Sequence, residues 1–247
     1  MDRAKFFASA KASVFGGSLK QSQVDGINAI LDGWATTGIT DNRQIAYVLG
    51  TAFHESAHTM QPVRETLAAT DDQAIARLEF AWKKGQLKWV KTPYWRKDSA
   101  GKSWFGRGLV QITHKANYEK FGLAGDPSKA LDMAVAVKVL IRGMVDGMFT
   151  GHKLSGYFHG DVADWTGARK IVNGTDKAAT IAAYSKNFYK ALGDTPVEAQ
   201  AQPSIPVQEE SPVREDKPAV IVNGPAPGGN WLAALLEAIL KIFARKP

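Results

Sequence analysis

Apolar residues in the first 193 positions recur mainly at helical spacing. Val24, Ile27, Ile30, Leu31 and Trp34 keep a 3.6-residue period. Ser18 and Gln21 supply a capping box ahead of that run, and Gly38 stops it. A second period, Ile45, Val48, Leu49, Ala52 and Phe53, follows a cap at Thr40 or Asp41. Residues Ser128 to Met148 carry Leu131, Val135, Leu140, Ile141 and Met144 and are apolar on most sides, which predicts a central buried helix. A last helix is predicted from Lys177 to Leu192, ended by Gly193. Between these runs, residues 82–105 are rich in Trp, Lys and Tyr and hold Gly85, Pro93 and Gly101, the marks of a loop or short helices. The pattern predicts a mainly α domain.

The character changes at Asp194. Seven of the chain's 11 prolines fall in residues 194–230, among Gln, Glu and Ala with little hydrophobic period, so this stretch reads as a partly extended linker. Residues 231–247 regain a period. Trp231, Leu232, Leu235, Leu236, Ile239, Leu240, Ile242 and Phe243 form a wide apolar face, and Glu237, Lys241 and Arg245 form a narrow polar stripe. That helix is too short and too charged to span a bilayer. Contact with a membrane surface and docking onto the main domain remain equally open for it. The expected organisation is a catalytic domain over 1–193, a Pro-rich linker over 194–230 and an amphipathic helix over 231–247.

Composition changes the picture in three ways. At 247 residues with 45% hydrophobic positions, the chain can bury one substantial core. With no cysteine, neither a disulfide nor a thiolate zinc site can hold it together. The net charge of +7 is uneven: residues 1–193 hold 26 Lys and Arg against 17 Asp and Glu, whereas the linker is acidic. A cationic body attracts anionic walls, nucleic acid or membranes, but no basic helix or aromatic–basic ribbon of a nucleic-acid reader is visible. Nucleic acid is therefore not an expected partner, and a monomer is expected. Charges at Asp2, Arg3 and Lys5 stand where a signal peptide needs its apolar stretch, so no secretory signal is expected.

Two segments carry candidate chemistry. His54-Glu55-Ser56-Ala57-His58 satisfies H-E-x-x-H, in which two histidines on one helical face bind zinc and the glutamate activates water. It lacks an obvious third ligand, since Gln61 and Arg64 stand where the longer zinc motif has glycine and histidine. The second segment is Gly106-Arg107-Gly108-Leu109-Val110-Gln111-Ile112-Thr113. A zinc peptidase has no use for a Gly-Arg-Gly turn leading into Gln-x-Thr. Read as an extended strand, it projects Gln111 and Thr113 from one side, where amide and hydroxyl can meet sugar groups. Glu55 borders the apolar face of its helix, and desolvation there favours a general acid.

These residues carry a resemblance. Ala52-Phe53-His54-Glu55-Ser56 resembles the acid-bearing helix of family 19 glycoside hydrolases, the chitinases and phage endolysins of lysozyme-like fold. Gly106 to Thr113 with Asn117-Tyr118, and Ile171-Val172-Asn173-Gly174, look like that family's further motifs. The resemblance covers roughly residues 40 to 190 and implies a two-lobed helical domain with a small β element. Two departures stand out. Many members follow the acid motif with two glycines where this chain has Ala57-His58, which points to a differently shaped loop. Several carry an arginine in the helix after Asn-Gly, but Lys177 to Leu192 holds none.

The expected roles follow. Glycoside cleavage needs one carboxyl to protonate the leaving oxygen and a second to guide water or attack. Glu55 is the acid candidate. Glu65 is the second, following Pro62 in a turn, and the resemblance implies a glutamate at this spacing; Glu79 is the fallback. Thr113 is expected to position water, which fits inversion, and Gln111, Asn117, Tyr118 and Asn173 to hold sugar groups. Arg107 pairs either with a catalytic carboxylate or structurally. Trp82, Trp89, Trp95 and Trp104 offer faces for sugar stacking or pack as core. No metal or cofactor is expected. The leading expectation is an endolysin-type hydrolase of peptidoglycan glycan strands, held in the host cytoplasm until release and acting in the periplasm. A chitinase is the alternative, and a zinc peptidase using His54, Glu55 and His58 comes after it.

Overall fold

Helix α3 (Asn42–Glu55) runs through the middle of the molecule and is buried at every position from Gln44 to Phe53. The structure is a computed structural model and describes residues 1–193; the predicted linker and C-terminal helix lie outside the described residues. Around α3 stand α1 (Arg3–Ser13), α2 (Gln21–Ala35), α4 (Asp71–Lys83), α5 (Lys115–Lys120), α6 (Met133–Val145) and α7 (Ala178–Ala191). Strand β1 (Val63–Arg64) pairs antiparallel with β2 (Arg107–Gly108), and β3 (Phe158–His159) with β4 (Val162–Ala163). The described residues are mainly helical. None of their helices is long and apolar enough to cross a membrane.

Local chemistry explains why α3 starts and packs where it does. The Asp41 carboxylate accepts from the backbone N–H of Arg43, satisfying a donor that the first helical turn leaves unpaired. Gln44, a polar residue inside the core, donates to the Phe158 carbonyl at 3.0 Å and so removes the cost of burying an amide. The most extensive contact of α3 is with α7. Gly50 permits it, because a Cβ there would lie 2.1 Å from Ser185 Oγ and 2.8 Å from the Ser185 nitrogen.

Two expectations need correction. The predicted central helix from 128 to 148 is shorter, because Pro127–Leu131 form a 3₁₀ turn and the Asp132 side chain caps α6 by accepting from the Val135 N–H. The buried centre is α3. The capping box also slips in register: Lys20 is the N-cap residue of α2, and its N–H donates to Gln23 Oε1. Ser18 is held earlier, in a turn where its N–H donates to the Phe15 carbonyl.

The interior divides into two clusters. The larger joins side chains of α1, α2, α3, α6 and α7. The smaller, Ala68, Ala74, Leu78, Ala81, Leu87, Trp95 and Phe105, is built on α4 and the irregular stretch that follows it. Trp95 and Trp104 are interior, and Trp82 and Trp89 are half-buried against the smaller cluster. Trp95 and Trp104 therefore serve packing. The chain crosses between the clusters at residues 56–70 and again at 104–113, and the β1–β2 pair ties the two crossings together.

Candidate active site

Glu55 ends α3, and its neighbourhood is fixed by hydrogen bonds of the loop that follows. Ser56 Oγ accepts from the Met60 N–H, Thr59 Oγ1 donates to the Ser56 carbonyl, and the His58 N–H donates to the Phe53 carbonyl. Ala57 (φ 50°) and His58 (φ 67°) both lie in the left-handed region. That is the conformation two glycines would adopt without strain. The loop thus adopts a backbone conformation that glycines favour, with Ala57 and His58 in their place. His58 offsets part of the strain by stacking on Phe53, with ring centroids 4.1 Å apart and planes 7° from parallel.

Because the helix stops at Glu55, His54 and His58 do not occupy successive turns of one helical face, the arrangement that gives H-E-x-x-H its metal chemistry. Among the described residues, no cluster of three or more His, Asp or Glu side chains could hold a metal ion. Burial pushes the His54 imidazole toward its neutral form.

The partner of Glu55 comes from far along the chain. Arg169 Nη1 donates to Glu55 Oε1 at 2.7 Å, and the two side chains are 4% and 5% exposed. Arg169 is itself anchored by donating from Nε to the Asp176 carbonyl. Arg169 stands two residues before Ile171, on the N-terminal side of the Asn-Gly motif. Asn173 lies beside it, its N–H donating to the Arg169 carbonyl and its Oδ1 accepting from the Gly174 N–H.

Glu65 is 1% exposed and belongs to a tight turn after β1. Tyr94 donates its hydroxyl to Oε1 at 2.8 Å, and the Gly106 N–H donates to Oε2 at 2.7 Å. Burial pushes this carboxyl up to about 7, against the opposing pull of the two hydrogen bonds and of the Arg107 charge. Three polar atoms converge in front of Gly106. A Cβ built on that residue would lie 2.9 Å from Gln111 Oε1, 3.2 Å from Thr113 Oγ1 and 3.4 Å from Glu65 Oε2. Glycine at 106 lets these atoms crowd into the space a side chain would occupy.

Gln111 and Thr113 reach that space by a different route from the one expected. Arg107 and Ile112 exchange both backbone hydrogen bonds across a tight turn, so Gln111 (φ 52°) lies in the turn and not in an extended strand. Gln111 Nε2 donates to the Val63 and Gly108 carbonyls, which leaves its Oε1 facing Gly106. Thr113 Oγ1 donates to the Gln111 carbonyl, and Asn117 Nδ2 donates to the Thr113 carbonyl.

Three expected site residues support the site from behind. Tyr118 is fully buried, donates to the Phe105 carbonyl and accepts from Arg107 Nη1, so it cannot touch a substrate. Arg107 takes the structural option: Nη2 meets Asp71 at 2.7 Å, and the guanidinium lies over the Phe105 ring. The fallback, Glu79, is clasped by Arg96 and by the Trp95 indole, and the Arg96 hydrogen bonds hold it down to about 2.

Strain marks the same region. Of the eight non-glycine residues with positive φ among the described residues, seven are Ala57, His58, Met60, Thr66, Leu67, Gln111 and His114. They follow Glu55, follow Glu65 or flank Thr113, and strained backbone of this kind concentrates at functional sites.

No protein-family model, curated protein or solved structure matches the chain. Its chemistry must be read from its own residues. Sequence reasoning missed two of them, Arg169 and Tyr94. Arg169 stood next to a recognised motif, whereas Tyr94 gave no signal beyond belonging to an aromatic loop.

Proposed function

We propose that the protein is an endolysin-type glycoside hydrolase of lysozyme-like architecture, cutting peptidoglycan glycan strands between N-acetylmuramic acid and N-acetylglucosamine. One observation carries the reading. A buried carboxyl whose proton affinity is raised to about 7, a hydroxyl and an amide oxygen gather about one bare glycine, which brings a base and hydrogen-bonding groups together. Glu65 takes a proton from the attacking water, and Thr113 Oγ1 orients that water toward the anomeric carbon. Glu55 takes up a proton from solvent, gives it to the leaving oxygen and so returns to the carboxylate that Arg169 pairs with. Attack from the face opposite the leaving group inverts the anomeric centre. Gln111 Oε1 accepts from a sugar hydroxyl or N-acetyl N–H, and Asn173 holds a sugar hydroxyl on the Glu55 side.

Peptidoglycan is preferred over chitin because the cationic body is drawn to a wall that bears carboxylates, whereas chitin is uncharged. Mass spectrometry of fragments released from purified peptidoglycan, with and without a chelator, tests the reading. The expected products are chelator-insensitive muropeptides with cut glycan strands. Products from chitin oligomers alone would make it a chitinase. Cut peptides on intact glycan, lost with chelator, would return the chemistry to His54, Glu55 and His58.

A further inference from the structure

Tyr94 belongs to no motif of the sequence, yet its hydroxyl makes one of the two hydrogen bonds that Glu65 receives. Its ring is fixed on two sides, by the edge of Trp95 at 5.0 Å between centroids and by His114 at 4.8 Å. We propose that Tyr94 is a positioning residue for the Glu65 carboxyl, fixing both the direction of its free lone pairs and the pH at which it becomes a base.

The inference rests on the glycosidase reading for its consequence, though not for its geometry. A carboxylate that accepts from Tyr94 at Oε1 and from Gly106 at Oε2 has its plane fixed at both ends. Its Oε2 shares the neighbourhood of Gly106 with Thr113 Oγ1 and Gln111 Oε1. The phenol can only donate in this role. Burial first, and the neighbouring carboxyl second, drive its own ionisation well above the usual tyrosine range, so it keeps its proton wherever Glu65 loses one. The charged group that influences Glu65 from the hairpin is Arg107, which stays committed to Asp71. His114 touches the phenol ring and makes no hydrogen bond to the carboxyl. Removing the phenol hydrogen bond therefore withdraws a stabiliser of the charged form, and the carboxyl must then ionise at higher pH.

The test compares the full chain with its Tyr94→Phe variant, using pH–rate profiles on purified peptidoglycan and carbon-13 NMR titration of the Glu65 carboxyl without substrate. A hydrogen bond to a charged group corresponds to about one to two pH units. The acid limb of the variant should move upward by that amount. At pH 7 kcat should fall about tenfold with KM unchanged, in step with the later titration of Glu65. A purely structural role predicts a loss that is uniform in pH, with the Glu65 titration unmoved, and that result overturns the proposal. If Tyr94→Phe fails to fold, 3-fluorotyrosine at position 94 keeps the shape and strengthens the donor, and should move the limb downward. If the wild-type chain cuts neither peptidoglycan nor chitin, the glycosidase reading fails by itself. The NMR titration still decides whether Tyr94 sets the charge state of Glu65.

Discussion

Glu55 and Glu65 are ten residues apart in sequence, yet their surroundings solve the burial of a carboxyl in opposite ways. Glu55 sits on the last turn of the most buried helix and meets a cation, Arg169, itself almost wholly enclosed. Glu65 sits on a short strained turn and receives two neutral donors, a phenol and a backbone amide, with no salt bridge. A charged partner matches a buried carboxylate with an equal and opposite charge, at the cost of desolvating both ions. Neutral donors orient the group and leave much of its desolvation uncompensated, which is why its proton affinity rises toward neutrality. The contrast has two consequences: the ion pair fixes a side chain in place, and the neutral cradle leaves a carboxyl able to exchange protons near pH 7.

The largest effects should come from removing the carboxyls themselves. Glu55→Gln and Glu65→Gln should each cost about 10²–10⁴-fold in kcat with the fold retained, read from the release of reducing ends. Undiminished turnover in either would remove that residue from the chemistry. Next in size is the ion pair. Arg169→Met strands Glu55 as an uncompensated buried charge and should destabilise the domain by about 3–5 kcal/mol in urea denaturation. The double change with Glu55→Gln should recover part of that loss, since no charge is then left unpaired. If the double variant is no more stable than Arg169→Met, the partnership has been misread.

Glu65 yields the third prediction, with the sign set by its raised proton affinity. The unfolded chain releases this proton near pH 4.5 and the folded chain near pH 7, so the stability contribution is complete below about 4.5 and is lost as pH rises to about 7. The loss is of order 3 kcal/mol. Melting temperatures across that window should fall in the wild type relative to Glu65→Gln. Parallel curves for the two proteins would show that Glu65 titrates normally. The smallest effect concerns the loop after Glu55. Ala57→Gly should gain about 1 kcal/mol because the left-handed backbone is then unstrained, while His58→Gly should gain nothing, since it also loses the stack on Phe53.

Much of this layout was legible along the chain. The periods of α2 and α3 emerged at their observed positions because each helix shows one apolar face, and a repeating face is a local property. Gln111, Thr113 and Glu65, nominated from separate segments, do come together about Gly106, although the strand expected for Gln111 is a turn. Helices α1 and α4 escaped notice. Tyr118 was nominated as a sugar contact and Arg107 left between a catalytic and a structural pairing because a motif gives adjacency and not direction: both side chains point inward, to Phe105 and Asp71. The expected linker and C-terminal helix lie outside the described residues.

By itself the sequence determined the mainly helical class, the periods of α2 and α3 and the glycine at position 106 against which three polar side chains pack. These depend on short-range preferences: capping groups, periodic burial and the missing side chain of glycine. Only the tertiary structure decided the electrostatics. The ion pair of Arg169 with Glu55 spans 114 residues and the bond of Tyr94 to Glu65 spans 29. Charge and proton affinity at each carboxyl depend on which distant groups arrive within about 3 Å and on how much water they displace. That knowledge resides in the packing of α3 against its neighbours and in the hairpin folded against β1, and no local stretch of chain contains it.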